Sequence, residues 1–327
     1  MKRKELEKLL FICAAFALTL ILLYSGLRVL EVTVLRSGGE EAFRVETKTV
    51  VKDGVSYFPR QDITVVMVLG VDQEGPVQAS STPNHGNAVD MVTVMVFDET
   101  AKYCTLLNLN RDIMLDMPML NDYGREDGSY FGQLAYSHTY GTGVEDSCEN
   151  TRKAVSRFLN GITIDYYLAM NMGAVPLLND AVGGVTVEVV HDFSKVDASL
   201  PMGTVTLQGQ QALTFVQTRW DVGDELNTSR IDRQMVYMDS FMETLRTCIK
   251  ADKDFAVDIY DKISPYVVTD LSLNTLSGMV QRYQEYPVKA VLSIEGENVL
   301  GETYYEFYPD EEALEALILD LFYAAKK

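Results

Sequence analysis

The 327-residue sequence lacks the short motifs that mark several common enzyme classes. Its three histidines, His85, His138 and His191, are far apart, and it has no HExxH motif, no GxSxG motif and no Walker-type glycine loop. Its four cysteines form no CxxC pair. These absences argue against a metalloprotease, a serine hydrolase, a P-loop enzyme and a cysteine-based zinc site.

Basic residues are also scarce. The chain has 28 Lys and Arg against 47 Asp and Glu, which gives a formal net charge of -19. A field of that sign repels a polyphosphate backbone, so we expect no nucleic acid partner. An anionic ligand would need a local cluster of cations, or a metal ion, to hold it against the net field.

One long apolar run stands near the amino terminus. Residues 9–27 carry no charge and would span about 28 Å as a helix, which fits the hydrocarbon core of a bilayer. Four basic residues lie within residues 1–8 and two between residues 28 and 36, so the positive-inside rule places the amino terminus in the cytoplasm. We therefore predict a single uncleaved anchor, with residues 28–327 outside. A cleaved signal peptide is the alternative, but its apolar region would be shorter and followed by a small-x-small site.

The remainder of the chain predicts an α/β fold. Three β-branched, apolar runs indicate buried strands at residues 63–72, 90–98 and 103–112, and an alternating strand is expected at 185–190. Helices are expected at residues 148–160, 174–181 and, at the carboxyl terminus, 313–325. Strands that alternate with helices predict an α/β sandwich. Three cysteines lie outside the anchor, Cys104, Cys148 and Cys248, and we expect no bridge among them.

A helix that starts near Ser229 or Arg230 has two distinct faces. Apolar residues repeat at spacings of three and four from Ile231 to Ile249, which predicts a core-facing stripe. Two guanidinium groups and an amide, from Arg230, Arg233 and Gln234, share another face together with Tyr237. That polar face is either a solvated surface or part of a binding site.

Several segments, in order, resemble the LytR-CpsA-Psr family. They are LGVD (Leu69–Asp72), VD (Val89–Asp90), NLNRD (Asn108–Asp112), SHTYG (Ser137–Gly141), Ile164–Val189, Leu207–Arg219 and SRIDRQ (Ser229–Gln234). The resemblance implies an α-β-α sandwich with a mixed central sheet, preceded by one transmembrane helix. The expected organisation is a cytoplasmic segment 1–8, an anchor 9–27, a spacer 28–60, a catalytic domain 61–250, and a part 251–327 that packs on the same domain.

The resemblance also implies an activity and a site. Family members move a glycopolymer from a polyprenyl pyrophosphate carrier onto peptidoglycan at the bacterial cytoplasmic membrane, with Mg²⁺ as cofactor. The residues that correspond to the catalytic positions are Asp72, Asp90, Arg111, Arg230 and Arg233, and Asp72 and Asp90 correspond to the metal ligands. The positions that correspond to substrate binding are Arg219, Gln234, Gln133 and Gln217.

Three positions depart from the family pattern by loss of a cation. Ala88, Gln133 and Gln217 stand where relatives commonly have a basic residue, and Ala135 stands at a usual asparagine. Two functions therefore remain open: a transferase, or a weakly hydrolytic or non-catalytic envelope scaffold that binds polyprenyl pyrophosphate. A DNA-binding regulator conflicts with the charge and with the expected location.

Overall fold

The computed structural model describes residues 49–83, 87–121, 125–218, 220–223, 227–252, 255, 259, 262–283 and 286–325. The strands are β1 (Val50–Lys52), β2 (Val55–Pro59), β3 (Ile63–Val71), β4 (Val89–Asp98), β5 (Tyr103–Leu109), β6 (Met114–Leu120), β7 (Glu126–Gln133), β8 (Tyr166–Asn171), β9 (Val185–Val189), β10 (Gly203–Leu207), β11 (Val267–Thr269), β12 (Val288–Ser293), β13 (Gly296–Leu300), β14 (Tyr305–Pro309) and β15 (Tyr323–Ala325). The α-helices are α1 (Glu145–Phe158), α2 (Ala174–Ala181), α3 (Gln210–Gln217), α4 (Asn227–Ala251), α5 (Leu273–Tyr283) and α6 (Glu311–Phe322), and short 3-10 helices span Leu134–Tyr140 and Ser264–Tyr266.

Six strands form a mixed central sheet in the order β11-β8-β3-β4-β5-β12. The pairs β3–β4 and β4–β5 are antiparallel, whereas β3–β8 and β5–β12 are parallel. The β-branched and apolar runs of β3, β4 and β5 are almost wholly buried, as expected for strands that are covered on both faces. The predicted mixed α/β fold with a central sheet is therefore confirmed.

The two faces of the sheet carry separate apolar cores. Met67 and Leu69 of β3 pack in a cluster with Leu159, which follows α1, and with Phe322 of α6. Val68 points to the opposite face, into a cluster that includes residues of α5. Successive residues of a strand alternate between faces, so β3 contributes to both cores.

A third core lies beside the sheet. It joins α2, α3 and α4 to the two-stranded ribbon β9–β10, and its buried side chains include Leu178, Phe193, Phe215, Phe241 and Leu245. This region contains the helices whose apolar residues the sequence singled out. In the structure the described apolar side chains of α2 and α4 pack against one another and against the ribbon.

The carboxyl terminus differs from the prediction. The last helix ends at Phe322, and residues 323–325 form strand β15, which pairs with β2. A helix through residue 325 is thus wrong, because this strand partner lies more than 260 residues earlier in the chain, where no local pattern shows it. Together with β1, β2 and β15 make a three-stranded sheet.

Cys104, Cys148 and Cys248 are free in the structure. The predicted anchor at residues 9–27 lies outside the described residues. Within the part of the chain that the structure describes, no helix combines the length and the apolar character needed to cross a membrane.

Candidate functional site

The two predicted metal ligands emerge at one end of the central sheet. Asp72 directly follows β3, and its backbone N–H donates to the carbonyl of Ala88 at 2.9 Å. Because β4 runs antiparallel to β3, its beginning lies at the same end, and Asp90 is its second residue. The structure thus brings Asp72 and Asp90 to the same end of the central strands, which we call the sheet edge.

Asp90 occupies an irregularity in the strand. Gly70 is opposite Met91 and Val71 is opposite Val89, so Asp90 is the extra residue of a β-bulge. A bulge bends its strand and redirects a side chain, and such irregularities are common beside active sites. Here the Asp90 carboxylate meets the guanidinium of Arg111, whose Nη1 donates to Oδ1 of Asp90.

Arg111 lies two residues beyond β5, the next strand of the sheet, and is partly exposed. Its Nε is also 3.6 Å from Oδ1 of Asp112. The structure thus contains an Arg111–Asp112 pair alongside the pair with Asp90. Arg111 is therefore held between two carboxylates at this edge.

Gln133 extends the same polar cluster. Its side chain is 7% exposed, and its Nε2 donates both to Oδ1 of Asp112 at 3.1 Å and to the carbonyl of Tyr305 at 2.7 Å. Gln133 thus connects the Arg111–Asp112 pair to hairpin β13–β14. Sequence reasoning identified Gln133 but missed Asp112 as a member of the cluster and missed the hairpin entirely; the adjacency of Asp112 to Arg111 was the available signal.

The loop after Asp72 is fixed by a close approach of two backbones. Gly173, which precedes α2, donates its N–H to the carbonyl of Gln73 at 3.2 Å. A Cβ at position 173 would lie only 1.4 Å from the carbonyl oxygen of Glu74. Only glycine allows this approach, so the start of α2 and the loop that carries Asp72 support each other.

His138 supports the segment before Asp90. Its ring is buried, and its Nδ1 lies 2.9 Å from the carbonyl of Asn87, which can only accept, so Nδ1 carries a proton. Burial lowers the pKa of His138, which favours the neutral ring. The thiol of Cys148 lies 4.0 Å from Nε2, and burial raises the pKa of this thiol, so Cys148 stays protonated.

A second group of predicted site residues lies where α4 crosses the end of α3. Arg233 is only 3% exposed; its Nε donates to the carbonyl of Phe215 at 3.0 Å, its Nη2 donates to the carbonyl of Thr218, and its guanidinium carbon lies 5.5 Å from the ring centroid of Phe193. Gln234 Nε2 donates to the carbonyl of Val216 at 3.0 Å.

These contacts have a clear physical origin. The last carbonyls of a helix have no partner within the helix and carry partial negative charge, which a guanidinium satisfies well. Arg233 and Gln234 therefore cap the carboxyl end of α3, and the solvated-surface alternative is wrong for Arg233. Gln217, the last residue of α3, and Arg230 are partly buried, and Arg219 lies outside the described residues.

The structure thus brings Asp72, Asp90, Arg111 and Gln133 to the edge of the sheet, and Arg233, Gln234 and Gln217 to the contact of α3 with α4. The oxygen donors at the edge suit Mg²⁺, which takes carboxylate ligands and keeps several waters. Within the described residues no group of three or more His, Cys, Asp or Glu side chains is arranged to hold a metal ion. A site here would therefore use the two carboxylates of Asp72 and Asp90 together with ligands from water or substrate.

The chain matches the model of the LytR_cpsA_psr family over residues 33–321. It is 28% identical over 263 residues to the polyisoprenyl-teichoic acid–peptidoglycan teichoic acid transferase TagU of Oceanobacillus iheyensis, covering 78% of this chain and 74% of that protein. It is 25% identical over 289 residues to the transferase TagT of Bacillus subtilis, with 84% and 80% covered. The crystal structure of B. subtilis TagV shares the fold, with a TM-score of 0.55 and 23% identity over 80% of this chain and 96% of that one.

Proposed function

Because the chain belongs to the LytR-CpsA-Psr family, we propose that it transfers a glycopolymer from a polyprenyl pyrophosphate carrier to peptidoglycan. The names of its relatives TagU and TagT describe teichoic acid transfer to peptidoglycan from a polyisoprenyl-linked donor. The observation that carries the proposal is the Asp90–Arg111 pair beside Asp72, where β3 and β5 end and β4 begins.

In this reaction an acceptor hydroxyl attacks the phosphorus on the glycopolymer side of the pyrophosphate. A new P–O bond forms, the bond to the carrier phosphate breaks, polyprenyl phosphate leaves with the electron pair, and the hydroxyl proton is released. Negative charge grows on the bridging and terminal oxygens, so catalysis depends mainly on positioning and on electrostatic stabilisation.

Arg111 has the chemistry for this role. A guanidinium carries five N–H donors in a planar fork, and the Asp90 contact uses Nη1, so Arg111 keeps donors for phosphate oxygens. The carboxylate of Asp72 is exposed and makes no hydrogen bond or ion pair with a described residue. Mg²⁺ held by Asp72 and Asp90 would supply positive charge for the leaving phosphate.

Arg233 and Gln234 act differently in this proposal. Their N–H groups donate hydrogen bonds to the carbonyls at the end of α3. They therefore orient Gln217 and the segment that leads to Arg219. In this proposal they are positioning residues.

The alternative function is a weakly hydrolytic or non-catalytic envelope scaffold that binds polyprenyl pyrophosphate. The observation that favours it is the neutral side chain of Gln133, at a position where the family resemblance implies a cation. Its neutral amide donates to Asp112 and to a backbone carbonyl of the hairpin. A phosphate would therefore find one positive charge fewer at this edge.

One experiment distinguishes the two functions. The full-length chain is incubated with a polyprenyl-pyrophosphate-linked glycopolymer, Mg²⁺ and peptidoglycan, and both phosphate release and polymer attached to peptidoglycan are measured. Attachment that depends on Arg111 supports the transferase. Release without attachment, or tight binding with neither product, supports the alternative.

The proposed location is the bacterial cytoplasmic membrane, with one span at residues 9–27 and the body outside. It is supported by the uncharged run and its basic flank.

A further inference from the structure

Exposed aromatic side chains cluster on the two hairpins that border the Arg111 edge. Phe131 of β7 is 52% exposed, Tyr305 of β14 is 58% exposed, and Tyr304 and Leu300, at the turn of hairpin β13–β14, are also exposed. We call these four residues, three aromatic residues and one leucine, the aromatic surface. Large exposed rings that are grouped in this way mark interaction sites more often than scattered single residues do.

Gln133 shows that the two hairpins meet. Its amide reaches the carbonyl of Tyr305 at 2.7 Å. Phe131 is two residues before Gln133 on the same strand, so both side chains project from the same face of β7. Gln133 therefore links the strand that carries the exposed Phe131 to the strand that carries the exposed Tyr305.

The same amide connects the aromatic surface to the proposed site. Gln133 also donates to Asp112, which pairs with Arg111, and the backbone N–H of Phe307 donates to the carbonyl of Asp112 at 2.8 Å. A chain molecule lying on the rings of Phe131 and Tyr305 would thus end beside Arg111.

The negative charge around the aromatic surface indicates which kind of ligand can bind there. Residues 290–325 contain no Lys or Arg, and hairpin β13–β14 with its flanks carries Glu295, Glu297, Glu302, Glu306 and Asp310. Across the ladder from Phe131 stands the exposed Asp116. This acidic border repels a polyanion such as a phosphate-linked glycopolymer, whereas an uncharged sugar chain can stack its C–H faces on the rings and hydrogen-bond to the carboxylates.

We propose that the aromatic surface binds the uncharged glycan strand of the peptidoglycan acceptor and directs one of its hydroxyls toward Arg111. This inference rests on the proposed function, and it assigns donor and acceptor to different surfaces. The anionic donor meets Arg111 at the sheet edge, and the neutral acceptor lies on Phe131 and Tyr305.

The test measures glycan binding apart from transfer. Uncharged β-1,4-linked N-acetylglucosamine oligomers, which carry the sugar backbone of the glycan strand without its lactyl carboxylates, are immobilised, and the affinity of the full-length chain in detergent is measured. The variants are Phe131→Ala, Tyr305→Ala and Tyr305→Phe. The matched control is Phe58→Ala, which removes a ring that is 40% exposed on strand β2 of another sheet. Binding of polyprenyl pyrophosphate and thermal unfolding are recorded for every variant.

We expect Phe131→Ala and Tyr305→Ala each to weaken glycan binding at least about fivefold, because a stacked ring is lost. Tyr305→Phe keeps the ring and Phe58→Ala lies elsewhere, so both should stay within about twofold of the original chain. Carrier binding should be unchanged throughout. Since Phe131 is exposed, its alanine variant remains informative even if Tyr305→Ala unfolds.

Three results would overturn the inference: glycan affinities within twofold across both alanine variants, no glycan binding by the original chain, or tighter binding of poly(glycerol phosphate) than of the neutral oligomers. Ring-dependent glycan binding without any transfer would support the aromatic surface and refute the transferase. Transfer together with glycan binding that does not depend on the rings would support the transferase and refute the aromatic surface.

Discussion

Replacement of Arg233 tests whether this arginine stabilises the fold or binds phosphate. In Arg233→Ala the carbonyls of Phe215 and Thr218 each lose a charge-assisted donor, and the ring of Phe193 loses the cation above it. A hydrogen bond to a charged group contributes about 1.5–3 kcal/mol when its removal leaves a buried partner unsatisfied. Two such bonds and one ring contact predict a loss of about 3–5 kcal/mol from the free energy of unfolding.

That loss is large relative to the roughly 5–15 kcal/mol by which a folded protein is stable. It corresponds to a fall in melting temperature on the order of 10 °C for a body of this size. Arg233→Lys should fall between the original chain and the alanine variant, because an ammonium is a point charge and cannot reproduce the fork that reaches both carbonyls.

Arg111→Ala is the matched control. Arg111 is partly exposed and pairs with carboxylates that water also reaches, so its removal should change the free energy of unfolding by about 1 kcal/mol or less. It should nevertheless weaken polyprenyl pyrophosphate binding by about tenfold or more, because a phosphate contact is lost. Denaturant unfolding and carrier binding are measured on both variants. The reasoning fails if Arg233→Ala unfolds within about 1 kcal/mol of the original chain while carrier binding is lost.

Four further outcomes are expected. Asp72→Asn combined with Asp90→Asn should abolish Mg²⁺-dependent turnover with little change in melting temperature; retained turnover would remove both residues from the site. Gln133→Lys should tighten carrier binding several-fold by restoring a cation, and an unchanged affinity would show that the missing charge is unimportant there. Because burial lowers the pKa of His138, the unfolded chain takes up a proton below about pH 6.5 that the folded chain excludes, so stability should fall from pH 7 to pH 5 and should fall less in His138→Gln. An export-dependent reporter fused after Lys327 should be active; activity of only a cytoplasmic reporter would contradict the proposed topology.

The buried strands could be predicted well because the β-branched and apolar residues within each strand favour that structure by themselves. The expected strand at residues 90–98 is β4, one residue longer at its start, and the helix predicted at 174–181 coincides with α2. β-branched runs and a Gly-Gly stop act locally, and burial on both faces of the sheet reinforces them.

The hairpins could not be predicted in this way. Strand β7 has six exposed residues in succession, so it shows no alternation of apolar and polar side chains, and every residue of β13 is exposed. Their strands are fixed by pairing with β6 and β14 and by nonlocal contacts such as that of Gln133 with Tyr305. The sequence therefore indicated the sheet edge of the site and missed the surface that borders it.

The predicted polar face of α4 was misjudged for a related reason. Among the described side chains, Arg233, Tyr237, Phe241 and Leu245 are buried, at successive spacings of four. The sequence placed Arg233 and Tyr237 on a polar face. The sequence around α4 does not show that unpaired carbonyls at the end of α3 accept hydrogen bonds from the guanidinium of Arg233. Tertiary contacts therefore bury Arg233 and Tyr237.

The charge at the sheet edge leads to one last prediction, that tight carrier binding needs a divalent cation. The described cluster holds the carboxylates of Asp72, Asp90 and Asp112 and the single guanidinium of Arg111, which gives a net charge of about -2 before any ligand arrives. A pyrophosphate would have to bind the remaining donors of Arg111 against that repulsion, whereas a divalent cation neutralises the excess negative charge. Polyprenyl pyrophosphate affinity should therefore fall at least tenfold in EDTA and recover with Mg²⁺. It should also depend less on Mg²⁺ in Asp112→Asn, which removes one negative charge and spares both proposed ligands. Equal affinity with and without Mg²⁺ in the original chain would show that cations outside this cluster hold the phosphates.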